Sequence, residues 1–181
     1  MIAEHTEIKD CYLLKPNIIK DDRGFFMESF NQQKFHEKTG LGVTFVQDNL
    51  SQSHYGVIRG LHGQSGAHAQ AKLVTVLQGE VLDIAVDLRV DSSTYGKIYA
   101  TVLNDTNRNQ LFVPRGCLHG FAVLSQQATF FYKCDNYYNK ESEYGVRYND
   151  PSLGIDWKIT ADEQIISSKD SSLPYLNDLE L

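Results

Sequence analysis

Apolar residues recur along this chain in short runs broken by polar punctuation, and most runs carry the period of a β-strand. Residues 43–47, 57–61, 72–77, 81–88, 97–103, 110–113, 120–124 and 129–134 read as strands. Gln78-Gly79, Asn104-Asp105 and Pro114-Arg115-Gly116 supply turns between them. Upstream, the apolar stretch 11–19 is interrupted by Pro16, which predicts an edge strand or two short ones. Asp21-Asp22-Arg23-Gly24 reads as a turn, and Phe25–Phe30 as the strand that follows. The best helix spans residues 31–39, with Asn31 as N-cap and Gly40 as the stop. Many short strands at near-regular spacing predict a mainly β fold, a sandwich, jelly roll or barrel with a few short helices.

One strand carries more information than the rest. In Val81–Leu88 the even positions are Leu82, Ile84, Val86 and Leu88, while the odd ones include Asp83, Ala85 and Asp87. Alternation puts the two sets on opposite faces. Either the Asp face is wet, or it lines a cavity for a polar ligand.

Bulk composition narrows the function classes. At 181 residues, 41% of them hydrophobic, residues 1–181 suit one domain with one core. A net charge of -6 argues against a nucleic-acid partner, which needs a basic face, but is compatible with a local cationic pocket for a small anion. Cys11, Cys117 and Cys134 are odd in number, far apart and lack any CxxC spacing, so neither a disulfide scaffold nor a zinc ribbon is expected. Free thiols suit a reducing, cytoplasmic compartment. The polar, acidic start predicts no secretory leader, and no apolar run reaches the roughly 18 residues that span a bilayer.

The candidate chemistry gathers around Val57-Ile58-Arg59-Gly60-Leu61-His62. Lys72 follows in a second β-type run, and His119 follows the turn at Pro114. Pro114-Arg115-Gly116-Cys117-Leu118-His119 is similar to the second metal-binding motif of cupin barrels. The first motif departs from that pattern: Lys72 stands where a carboxylate ligand is usual, and Gly66 stands beside His68 where a second histidine is usual. A charged ammonium does not ligate a divalent ion, so a site of His62, His68 and His119 is disfavoured and no metal or other cofactor is expected. The metal-free reading is proton transfer beside a carbonyl. It needs a base, which His62 suits, and a cation for the enolate oxygen, which Lys72 supplies. His119 adds a hydrogen bond, and a tyrosine such as Tyr132 returns the proton on the opposite face.

Further segments carry a family resemblance. Arg59–His62, Ala69–Val74, Asp83–Arg89, His119-Gly120-Phe121 and Asn149–Trp157 resemble the dTDP-4-dehydrorhamnose 3,5-epimerases. Asp22–Phe26, Phe45–Asn49 and the closing Ser167-Ser168-Lys169-Asp170 match too, in order and almost end to end. The resemblance implies a cupin-type jelly-roll barrel, homodimeric and free of cofactors, acting on a dTDP-linked 4-keto-6-deoxyhexose. It makes His62 the base, Asp170 its carboxylate partner, Lys72 the enolate stabiliser and Tyr132 the acid. Arg59 and Lys169 resemble diphosphate contacts. Glu28, Gln47 and Asn49 resemble nucleotide contacts, and His119 is counted among the substrate-binding residues. Tyr138, with Tyr137 as its competitor, resembles the ring stacked on the base. Arg23 and Phe26 resemble contacts lent by the other subunit.

The chain departs from that family in three places. Gly63 stands where a large aromatic usually follows the base, which predicts extra room beside His62 and a different sugar or a single inverted carbon. Lys158 replaces a common proline and reads as neutral. His68 lies in the unusual loop Ser65–His68, facing solvent. Alternatives are therefore a C3-only or C5-only epimerase, one acting on a GDP- or CDP-linked sugar, or a non-catalytic sugar-nucleotide-binding cupin.

Overall fold

The computed structural model describes residues 1–179. Its elements run β1 (Ile2–His5), β2 (Tyr12–Lys15), β3 (Ile18–Asp21), β4 (Gly24–Met27), α1 (Gln32–Thr39), β5 (Gln47–His54), β6 (Val57–Gln64), β7 (Lys72–Gln78), β8 (Glu80–Asp87), β9 (Ile98–Asn104), β10 (Gln110–Val113), β11 (Cys117–Val123), β12 (Gln127–Cys134), β13 (Glu143–Gly145), β14 (Ile165–Ile166) and α2 (Ser168–Ser171). One sheet has the order β1-β2-β10-β7-β12-β5, and the facing sheet has the order β13-β6-β11-β8-β9, with β14 parallel to β6. This is the expected jelly-roll barrel.

Side-chain alternation divides the apolar residues into three layers. Between the sheets lie Val74, Val76, Val81, Leu111, Phe121 and Phe130 among others. Outside the second sheet, Leu61, Leu82, Ile84 and Val86 pack beneath Val146, Trp157 and Ile159. Outside the first sheet, Tyr12, Leu14, Leu73 and Phe112 pack against Phe35 of α1. The even face of β8 is thus the outer apolar layer, and its odd face points into the barrel. Asp83 and Asp87 are both 0% exposed, which overturns the wet-face reading.

Local signals act as read at α1. The Asn31 side chain accepts from the Lys34 backbone N–H, and Gly40 ends the helix in the left-handed region at φ 72°. Pro16 splits the first run into β2 and β3. Two strand readings need correction. Residues 43–46 precede a strand that begins at Gln47 and runs to His54, and the strand expected over Phe25–Phe30 is the short arm β4 of an exposed hairpin with β3. The segment 66–68 forms one 3₁₀ turn, leaving His68 half-buried. Lys158 adopts a φ of 61°, one that a proline ring, locked near -65°, does not reach, so the backbone here excludes the proline common in the family.

Candidate active site

A cavity of about 370 Å³ opens between the sheets. Arg59 and His62 reach it from β6, His119 from β11, Lys72 from β7, Tyr132 from β12, Asn49 from β5, and Lys169 and Asp170 from α2. An adjoining lobe of about 230 Å³ shares Asn49, His62, Lys72 and Tyr132 and adds Gln47, Tyr138 and Glu143.

Arg59 and His62 are three apart, so a regular strand would send them to opposite faces. A bulge brings them together. His119 pairs with His62 and Phe121 with Arg59, so two steps on β11 oppose three on β6. The bulge turns at Gly60, whose φ is 115°; a Cβ there would stand 2.7 Å from the Gly120 Cα. Glycine is required on both counts.

His62 Nε2 lies 2.8 Å from Asp170 Oδ1. Asp170 is buried on α2, whose N-cap Ser167 accepts from the Asp170 N–H at 3.0 Å. Burial pushes the Asp170 carboxyl up, but the hydrogen bond and charge of His62 and the Gly60 N–H outweigh it and hold the group below its usual value. A neutral His62 donates Nε2–H to this carboxylate and keeps the Nδ1 lone pair for a proton. His119 Nε2 lies 3.0 Å from both oxygens of Asp83, a partner hidden behind the cavity wall. Burial pushes the Asp83 carboxyl up, against the opposing pull of His119 and Lys72.

The facing sheet supplies the other chemistry. Strand register sets Tyr132 against Asn49 and Val74, and Cys134 against Gln47 and Lys72, so one inward face carries Lys72, Tyr132, Asn49 and Gln47. Burial lowers the Lys72 ammonium below its usual value, with Cys134, Asp83 and Glu143 pulling the other way. Burial raises the Tyr132 phenol. The Phe121 and Phe130 rings stack at 4.2 Å and give the cavity an apolar wall.

At the mouth, Arg59 Nε donates to Ser53 Oγ at 3.1 Å. Gln47 Oε1 accepts from the Tyr138 N–H at 3.1 Å, and Gln47 Nε2 donates to Asn49 Oδ1 at 3.1 Å. Glu143, which sequence reasoning missed, joins two predicted contacts: it lies 2.6 Å from Lys169 Nζ and accepts from the Tyr138 hydroxyl at 3.0 Å. Tyr137 does not line either space. Ser53, Asp83 and Glu143 carry no local signal beyond polarity; only β8 alternation hinted at Asp83.

Three predicted residues lie outside the cavity of their own chain. Arg23 forms an ion pair with Asp21, Phe26 is 69% exposed on the β3–β4 hairpin, and Glu28 is bonded to Lys34 and Asn31. Gly63 borders the adjoining lobe with its backbone, but the missing side chain is not what opens that space beside His62. Gly63 faces away from the base into the outer apolar layer, where the Tyr144 ring fills its place. With His62 and His119 each turned to a carboxylate, no group of three or more His, Cys, Asp or Glu side chains among the described residues is placed to hold a metal ion.

The geometry agrees with comparisons to known proteins. The family model for dTDP-4-dehydrorhamnose 3,5-epimerase matches residues 5–178. An Escherichia coli dTDP-4-dehydrorhamnose 3,5-epimerase is 48% identical over 174 residues, covering 96% of this chain and 94% of the relative. The crystal structure of dTDP-4-dehydrorhamnose 3,5-epimerase from Elizabethkingia anophelis matches with a TM-score of 0.95 and 54% identity, over 98% of this chain and 97% of that one. That of the Legionella pneumophila dTDP-6-deoxy-D-glucose-3,5-epimerase, in complex with dTDP-4-keto-L-rhamnose, matches with a TM-score of 0.94 and 44% identity, over 98% of this chain and 94% of that one. A jelly roll with a histidine–carboxylate pair on one sheet and a lysine and tyrosine on the other, matched in sequence almost end to end, places this chain in the dTDP-4-dehydrorhamnose 3,5-epimerase family of carbohydrate epimerases.

Proposed function

We propose that the chain, acting as one cupin domain, inverts C3 and C5 of dTDP-4-dehydro-6-deoxy-D-glucose to give dTDP-4-dehydro-L-rhamnose, with no cofactor. One observation carries the roles: His62 and His119 come from one sheet, and Lys72 and Tyr132 from the facing sheet. A sugar held between the sheets presents one face of its carbon to a base and the other to an acid. His62 Nδ1 removes the proton beside the C4 ketone, with the Asp170 carboxylate stabilising the imidazolium. The Lys72 ammonium meets the charge that develops on the ketone oxygen, and His119 adds a hydrogen bond. Tyr132 delivers a proton from the far side, and inversion follows.

Arg59 and Lys169 suit the diphosphate, the planar Arg fork especially so. Gln47 and Asn49 offer amides to the nucleoside, and Tyr138 offers a ring for stacking. Arg23, Phe26 and Glu28 serve the site of a second copy in a homodimer. The exposed apolar hairpin residues Ile19, Phe25 and Phe26 support that assembly. A cytoplasmic enzyme fits the three free cysteines, and no helix among the described residues is long and apolar enough to cross a membrane.

Proton NMR of dTDP-4-dehydro-6-deoxy-D-glucose in deuterated water tests the reading. Deuterium entering both C3 and C5 is expected. Uptake at one carbon only would assign a single-carbon epimerase, and binding without uptake would reject catalysis.

A further inference from the structure

Strand β6 presents His62 to the cavity and, one residue on, Gly63 to the outer apolar layer. Tyr144 of β13 pairs directly with Gly63. A Cβ built on Gly63 would lie 2.7 Å from Tyr144 Cε1, 2.8 Å from Cζ and 3.0 Å from the phenol oxygen. The ring therefore lies flush on the backbone of the residue after His62. Its hydroxyl has no hydrogen-bond partner among the described residues, so the ring acts here through its shape and apolar surface.

Strand β13 is only three residues long and sits at the edge of its sheet, with β6 as its one neighbour there. Its flanks touch the site on both sides of Tyr144. Glu143 holds Lys169 and Tyr138, and Gly145 pairs with His62. Val146 and Leu61 then exchange backbone hydrogen bonds at 3.1 and 3.2 Å. So short a ladder at an edge frays easily unless side chains pin it. Beside the Glu143 contacts, the Tyr144 ring packed on Gly63 is placed to do so.

We propose that Tyr144 is a positioning residue for His62, and that positions 63 and 144 form one slot behind the base with room for a single aromatic ring. The slot holds β6 and β13 together, and through them the base and the Glu143–Lys169 pair. This rests on the reading of His62 as the base.

Four proteins test it: the parent, Gly63→Tyr, Tyr144→Gly and the double variant. Gly63→Tyr has two rings for one space, so its melting temperature and kcat both fall. Tyr144→Gly lowers kcat and the rate of deuterium uptake about tenfold, measured well below its melting temperature, with a smaller change in KM. The double variant, with the ring moved to the other strand, returns to within about threefold of the parent kcat, a coupling expected only of residues in contact. A Gly63→Tyr protein equal to the parent, or a double variant no better than the worse single, would overturn the shared slot. A Tyr144→Gly protein that melts earlier but exchanges deuterium at the parent rate would overturn the positioning role. The melting-temperature coupling between 63 and 144 is independent of the chemistry. Undiminished exchange by His62→Asn would instead remove the reading of the base.

Discussion

The Lys72 ammonium lies 6.0 Å from the centroid of the Tyr132 ring, so the cavity holds its cation and its phenol side by side on one sheet. Burial acts on them in opposite senses, since it disfavours whichever form is charged. Lys72 is lowered from an ordinary value of 10.5, and Tyr132 is raised from 10.0. As pH rises, Lys72 therefore loses its proton below the ordinary lysine range, while Tyr132 keeps its own beyond the ordinary phenol range. The alkaline fall of kcat should follow Lys72, with the active form below its pKa. Residual activity of Tyr132→Phe should keep that limb, and Lys72→Arg should move it to higher pH. A limb that vanished in Tyr132→Phe would reassign it.

Asp170→Asn removes the carboxylate behind His62 while keeping the side-chain shape. A fall in kcat of about 10²-fold or more is expected, the usual scale for a general base robbed of its orienting acid. Stability should change too. The folded carboxyl sits below its ordinary value, so its contribution is present above the unfolded pKa and lost as pH falls through the folded one. Acid unfolding of Asp170→Asn should lack that part of the pH dependence.

Tyr132→Phe should slow net inversion more than the first deuterium uptake, because His62 still removes the proton. NMR time courses in deuterated water separate the two rates. Equal slowing of both would reject Tyr132 as the returning acid.

Phe26→Asp places a charge on the exposed hairpin. A shift from dimer towards monomer in sedimentation, with a parallel loss of kcat/KM, is expected if the hairpin serves a second subunit. An unchanged dimer with unchanged kinetics would reject that assignment.

Lys158→Pro should destabilise the fold by about 1–3 kcal/mol, the cost of a misfit proline, read as a lower melting temperature. The ring does not reach the φ of 61°, and the Lys158 N–H that bonds Asp156 at 3.0 Å is lost.

Much of this protein was legible before any coordinates. Short alternating runs and turn residues determined a mainly β fold, the caps at Asn31 and Gly40 determined α1, and the family resemblance narrowed the fold to a jelly-roll barrel and singled out His62, Lys72, His119, Tyr132 and Asp170. Strand β5 was legible only in part, since Gln47–His54 is too polar to show a hydrophobic period. It is a strand because its backbone pairs with β12 and its inward amides and hydroxyls border the cavity. Which way side chains point was decided by tertiary structure alone. A strand side chain changes face with every residue, so one extra residue at Gly60 reverses the parity of all that follows on β6. That single bulge puts Arg59 and His62 in one cavity and turns Gly63 outward onto Tyr144. Composition cannot encode it, because the bulge exists only against the partner strand β11.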